Sequence, residues 1–94
     1  MVDDEFEWDA AKAEANLRKH NVSFQTARRV FDDAFAVYGI DDSHDEDRIV
    51  ITGMVDGVLL TIIYTDRHDR IRIISARKAT RHEQRDYYRG QTPP

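Results

Sequence analysis

Apolar positions in this chain follow two periods, and the period changes once. From Asp9 to Asp32 the spacing is helical. Ala10, Ala13, Leu17 and His20 recur three and four apart, and Asp9 stands where a helix N-cap belongs. Asn21 reads as a left-handed stop. Ser23 can cap a second run, FQTARRVFDD, with Phe24, Ala27, Val30 and Phe31 on one face. Two helices so close in sequence predict an αα-hairpin. From Ala34 onward the period is two. Strands are expected at Ala34 to Ile40, Arg48 to Val55, Val58 to Thr65 and Arg70 to Arg77. Asp56-Gly57 marks a tight hairpin, and Asp66 to Asp69 marks a second turn. Thr80 and Glu83 form T-x-x-E, a capping box that opens a last helix through Tyr88, which Gly90 ends. Glu5 to Trp8 is a short alternating piece that reads as a strand.

These elements predict an α+β fold. Two N-terminal helices and one C-terminal helix pack on a mainly antiparallel four-stranded sheet, because hairpin turns join the strands. Residues 1–90 form one domain and 91–94 a loose tail. Arg70 and Arg72 share a strand face opposite Ile71 and Ile73. The strand from Val58 is partly apolar on both faces, so either the chain covers both or a partner covers one of them.

Composition narrows the class. A chain of 94 residues has one modest core and buries roughly 60 to 65% of its unfolded surface. The absence of cysteine excludes disulfides and thiolate metal sites and suits a reducing cytoplasm. The acidic start MVDDEFEWD has no apolar h-region, so no signal peptide is expected, and the apolar run VLLTIIY is too short to span a membrane. The formal charge of −4 hides an asymmetry. Residues 1–66 carry 15 acidic and 6 basic side chains, a balance of −9, whereas residues 67–89 carry 8 basic and 3 acidic, a balance of +5. A phosphate senses the nearby field more than the distant one, so the second segment points to a polyanion partner.

Two blocks carry a family resemblance. One is W-D-x-x-K-x-x-x-N-x-x-K-H at Trp8 to His20; the other is R-I-I-S-A-R-x-A at Arg72 to Ala79. With the H-x-x-D-R and DG-LL--IYT stretches between them, the chain from Phe6 to about Tyr88 resembles the BrnT-type toxins of bacterial type II toxin–antitoxin modules. Ala10 and Asn21 stand where the family usually has Pro and Gly, and both are compatible with the predicted helix start and stop. The resemblance implies a RelE-like fold and RNA cleavage that inhibits translation; no cofactor is expected. It also implies a hetero-oligomer with a ribbon-helix-helix antitoxin, through which promoter DNA is bound.

The chemistry fits such an activity. RNA is cut without metal when a base takes the 2′-OH proton and cations stabilise the phosphoryl oxygens. Arg72, Arg77, Lys78 and Arg81 are the leading cations, with Arg70 and Arg85 as further RNA contacts. His44, in DDSHDEDR, is the leading general acid or base, set among carboxylates that favour its charged form, and Arg48 follows four residues on. Tyr64 is either a stacking or hydroxyl-donating group or a core residue. Glu83 is either a base or the closing member of the capping box. Asp41, His44, Asp45, Glu46 and Asp47 offer metal ligands, but their spacing matches no ion-binding loop, and no metal is expected. A non-catalytic module that binds RNA or an acidic protein through the same basic patch is the alternative.

Overall fold

The computed structural model describes residues 2–42 and 47–91. Helix α1 spans Ala10–His20. Asp9 caps it by accepting from the Lys12 backbone N–H at 3.0 Å, and Asn21 ends it in the left-handed region at φ 58°. Ser23 caps the next helix by accepting from the Thr26 N–H, as the sequence suggests. The α-helical part, α2, is only Phe24–Ala27; the chain then tightens into a 3-10 helix over Arg28–Asp32. This shortens the expected second helix. The tighter winding lets two consecutive apolar residues point inward: Val30 sits fully buried on Gly53, and Phe31 packs edge-on against Phe6 and Tyr64.

The sheet has five strands where the pattern predicts four, and it is mixed. Its order is β1-β5-β4-β3-β2, with β1 at Phe6–Glu7, β2 at Val37–Asp41, β3 at Arg48–Val55, β4 at Val58–Arg67 and β5 at Arg70–Lys78. Strands β2 to β5 form an antiparallel meander, and β1 adds to β5 in parallel through Phe6↔Ile71 and Glu7↔Arg72. β1 lies within the Glu5 to Trp8 piece that reads as a strand; its place in the sheet, parallel to β5, is what the local pattern does not announce. Beyond β1, the outer edge of β5 is completed by a side chain. Buried Asn16 of α1 donates to the Ala76 and Val22 carbonyls, both at 2.9 Å, and accepts from the Ala76 N–H at 3.1 Å. Its amide thus replaces a neighbouring strand.

The β3–β4 and β4–β5 turns are left-handed pairs. Asp56 and Gly57 have φ 49° and 82°; His68 and Asp69 reach 51° and 65° without a glycine. Asp and His are among the side chains that tolerate this region. The third helix, α3, spans Arg81–Arg89 behind the full Thr80–Glu83 capping box.

The helix-side core joins Phe6, Trp8, Phe24 and Val30 to Ile51, Ile62, Ile73 and Ala76 of the sheet. α3 crosses one end of the opposite face, where Tyr87 packs with Leu59 and Ala79. The chain therefore covers one sheet face and part of the other, and the rest of that second face is open.

Candidate nucleic-acid site

An irregularity in β5 decides which side chains reach the open face. Tyr64 pairs with Ile73, but its neighbour Ile63 pairs with Ser75, so Ile74 is an extra residue. A bulge of this kind shifts the alternation by one. Regular alternation would place Arg77 beside Ile71 and Ile73, facing the core. The bulge moves it to the face of Arg70 and Arg72. Opposite these three lie Thr61, Thr65 and Arg67 of β4, in the pairs Thr61↔Arg77, Thr65↔Arg72 and Arg67↔Arg70.

The open face is a trough with two ends. Thr61 and Thr65 are four residues apart along β4, so the pairs they mark lie roughly 13 Å from each other. Half-buried Val50, Ile63 and Ser75 lie between them on that face. At the α3 end, Arg77 grips Glu83 with two parallel bonds of 2.7 and 3.0 Å. Glu83 also accepts from the Thr61 hydroxyl and the Thr80 N–H, and Thr61 is within 2.9 Å of the Thr52 hydroxyl. Burial alone would raise the Glu83 pKa; the bonds from Arg77, Thr80 and Thr61 outweigh it and hold the carboxyl at about 2. The same pairing raises the Arg77 pKa.

The other end is a cavity of about 470 Å³ with four cations in its lining: Lys12 from α1, Arg48 from β3, Arg67 from β4 and Arg72 from β5. Thr65 contributes a hydroxyl and Asp66 a carboxylate to the same wall. Arg72 is steered there by Glu7, whose carboxylate takes its guanidinium at 2.6 Å; the two residues are in register across β1 and β5. The two-residue strand thus holds one cation of the cavity. Among the described residues, no ion pair engages Lys12 or Arg67. Those two positive groups suit an anion that brings its own hydrogen-bond acceptors, as a phosphodiester does, against the repulsion of the Asp66 carboxylate.

The expected site residues separate accordingly. Arg48 and Arg72 meet in the cavity. Arg70 adjoins Arg67 across the last β4–β5 pair and is tied by its Nε to the Asp3 carbonyl at 2.7 Å. Arg77 and Glu83 stand together at the far end of the trough. Lys78 is exposed at the end of β5, and Arg81 and Arg85 are exposed on α3. Tyr64 is not brought to them. It is 6% exposed on the helix side of the sheet against Phe31, and burial, with Tyr38 and Asp66 nearby, pushes its hydroxyl up to about 12. His44 and most of the acidic loop, whose carboxylates were weighed as metal ligands and set aside, lie outside the described residues. Among the described residues, no group of three His, Cys, Asp or Glu side chains is placed to hold a metal ion.

Lys12, Thr65 and Arg67 were not singled out by the sequence. Period-two alternation from Thr61 would have placed Thr65 and Arg67 on one face, so a signal for them existed. Lys12 was marked only as the K of the W-D-x-x-K block, since its approach to the cavity depends on how α1 crosses the edge of β5.

Residues 8–83 match the family described as "Ribonuclease toxin, BrnT, of type II toxin-antitoxin system". The chain belongs to this family. It is therefore a type II toxin of a ribonuclease family, with a cognate antitoxin as the implied partner and RNA as the implied target. No curated protein matches the chain. No helix among the described residues is long and apolar enough to cross a membrane.

Proposed function

We propose that this toxin is a metal-independent endoribonuclease whose phosphate-binding site is the four-cation cavity. The observation that carries this reading is the convergence of Lys12, Arg48, Arg67 and Arg72 from four separate elements on one hole in an acidic protein. Lys12 and Arg67, which no ion pair engages among the described residues, leave positive charge in the cavity for an anionic ligand to compensate.

In this reading the scissile phosphodiester sits among the four cations. Lys12 and Arg67 stabilise the charge that grows on the phosphoryl oxygens as the 2′-OH attacks. Arg72, braced by Glu7, and Arg48 orient the group. His44, four residues before Arg48 in sequence, serves as the base or acid. Glu83 is assigned a positioning role. Its oxygens are occupied by Arg77, Thr61 and Thr80, and its pKa of about 2 makes it a poor proton acceptor. Arg77, Arg70, Lys78, Arg81 and Arg85 contact RNA away from the cleaved bond. The cellular consequence is translation inhibition in the cytoplasm. The antitoxin is of ribbon-helix-helix type, forms a hetero-oligomer with the toxin and reads promoter DNA. The helices on one face of an antiparallel meander support the RelE-like likeness.

The test is incubation of the purified chain with labelled RNA in EDTA, beside Lys12→Ala and Arg72→Ala variants shown by circular dichroism to be folded. The wild type is expected to cut. Each variant should lose roughly 10²- to 10³-fold in rate, the usual effect of removing one charge-stabilising donor. Equal cleavage by all three would remove the cavity from the mechanism. Cleavage only after magnesium is added would refute metal independence. Bound but intact RNA would favour the non-catalytic module.

A further inference from the structure

The outer face of α3 carries a second basic surface, separate from the cavity. Arg81, Arg85 and Arg89 follow one another at four-residue intervals, so they stand in one row about 6 Å apart along the axis. All three are exposed. Local physics opposes this arrangement. Like charges at i and i+4 destabilise a helix, and Arg81 in the first turn meets the positive end of the helix dipole. Relief within the chain is slight. Among the described residues, Arg81 and Arg85 form no ion pair, and Arg89 has only Asp86 at 3.9 Å.

An aromatic ring lies beside the row. Tyr88 is 52% exposed, lines the groove of Arg81, Arg85 and Arg89, and is held edge-on by Tyr87 with ring centroids 5.3 Å apart. On its other side a cleft of about 240 Å³ separates it from Val58 in the β3–β4 hairpin, with Lys78 at the rim. A half-exposed ring between a cationic row and a small cleft with an apolar wall matches what an unstacked base and its phosphates require. A duplex, whose bases are already stacked, has no use for such a ring.

We propose that this surface binds single-stranded RNA, with a base stacked on Tyr88 and the backbone running along Arg81, Arg85 and Arg89. It rests on the ribonuclease reading for its choice of RNA. It adds to that reading that the substrate is single-stranded and that Tyr88 and Arg89 join Arg81 and Arg85 in holding it.

The experiment is fluorescence anisotropy of a labelled 2′-O-methyl oligouridine, which cannot be cut at its modified sugars. Binding is therefore read independently of whether the cavity cleaves RNA. Tyr88→Ala should weaken binding by roughly 5- to 150-fold, the range for losing one stacked base. Arg89→Gln should lower the slope of log affinity against log salt by about 0.7, the value for one single-strand phosphate contact. A blunt 2′-O-methyl duplex of equal length should bind more weakly than the single strand. Unchanged affinity in Tyr88→Ala, or a duplex bound as tightly as the single strand, would overturn the proposal even if the toxin cleaves RNA. Displacement of the oligouridine by polyglutamate at the same charge concentration would assign the row to an acidic protein partner and overturn it as well. Intact cleavable RNA combined with the expected binding losses would leave α3 as an RNA site and count against the cavity alone.

Discussion

Glu83→Gln tests whether the carboxylate at the head of α3 holds the fold together through its charge. The Gln side chain keeps an oxygen that can accept from Thr61 and Thr80, so what is lost is the charged pair with Arg77. Folding lowers the Glu83 pKa from 4.5 to about 2. A shift of that size is worth at most roughly 3 kcal/mol. The side chains of Arg77 and Glu83 are 33% and 20% exposed, and solvent screening reduces the expected contribution to about 1–2 kcal/mol. A depressed carboxyl pKa stabilises the folded state fully above the unfolded value of 4.5, and that contribution is lost as pH falls toward 2. The stability gap between wild type and variant should therefore be greatest at pH 7, about forty per cent smaller at pH 3.5, and reduced to roughly an eighth near pH 2. Urea unfolding followed by the fluorescence of Trp8, buried at 4% exposure, measures the gap directly. A gap below about 0.5 kcal/mol at pH 7, or one equal at pH 7 and pH 3.5, would refute the assignment of that stability to the Glu83 charge.

Three further substitutions have expected outcomes. Asn16→Leu should cost about 2–4 kcal/mol in urea unfolding and speed hydrogen exchange at the Ala76 amide, because it strips the partners from the Ala76 N–H and carbonyl at the β5 edge and from the Val22 carbonyl. Gly53→Ala should cost about 1–3 kcal/mol and lower the melting temperature, since its Cβ would lie 2.9 Å from the Val30 Cγ1 and 3.3 Å from the Ala36 Cβ. Tyr87→Phe should cost about 1–2 kcal/mol, because Tyr87 donates to Asp33 at 2.6 Å while the same oxygen accepts from the Met54 N–H at 2.8 Å. Burial raises the Asp33 pKa and the Tyr87, Met54 and Phe35 bonds lower it overall, so an NMR titration of Tyr87→Phe should show it moving upward.

What the sequence disclosed about the fold was local. The Asp9 and Ser23 caps, the left-handed Asn21, the Asp56-Gly57 turn and the Thr80–Glu83 box all form where the residues suggest, because each needs only its own neighbours. The family was legible too, in the blocks around Trp8 and Arg72. Features set by distant pairing were not. The strand at Glu5 to Trp8 was read from sequence, but its parallel pairing depends on an edge of β5 that only the folded sheet creates. The short α2 depends on Val30 reaching Gly53, and the Asn16 edge bond joins residues sixty positions apart.

The clearest case is the bulge at Ile74, because it changes what the basic segment can do. In RIRIISARK a strict alternation gives two opposed sets, with Arg70 and Arg72 on one face and Arg77 on the other. Arg77 would then point into the core beside Ile73, where an unpaired charge is costly. One extra residue resolves this conflict. Ile71, Ile73 and Ala76 stay on the helix side, while Arg70, Arg72 and Arg77 all turn to the open face. The strand thus keeps a continuous apolar side across a sequence whose hydrophobic pattern breaks at Ile74. Its cations gather on one side as a consequence. Three cations on the open face of the sheet therefore require both the composition of β5 and its irregularity, and composition alone revealed only the first.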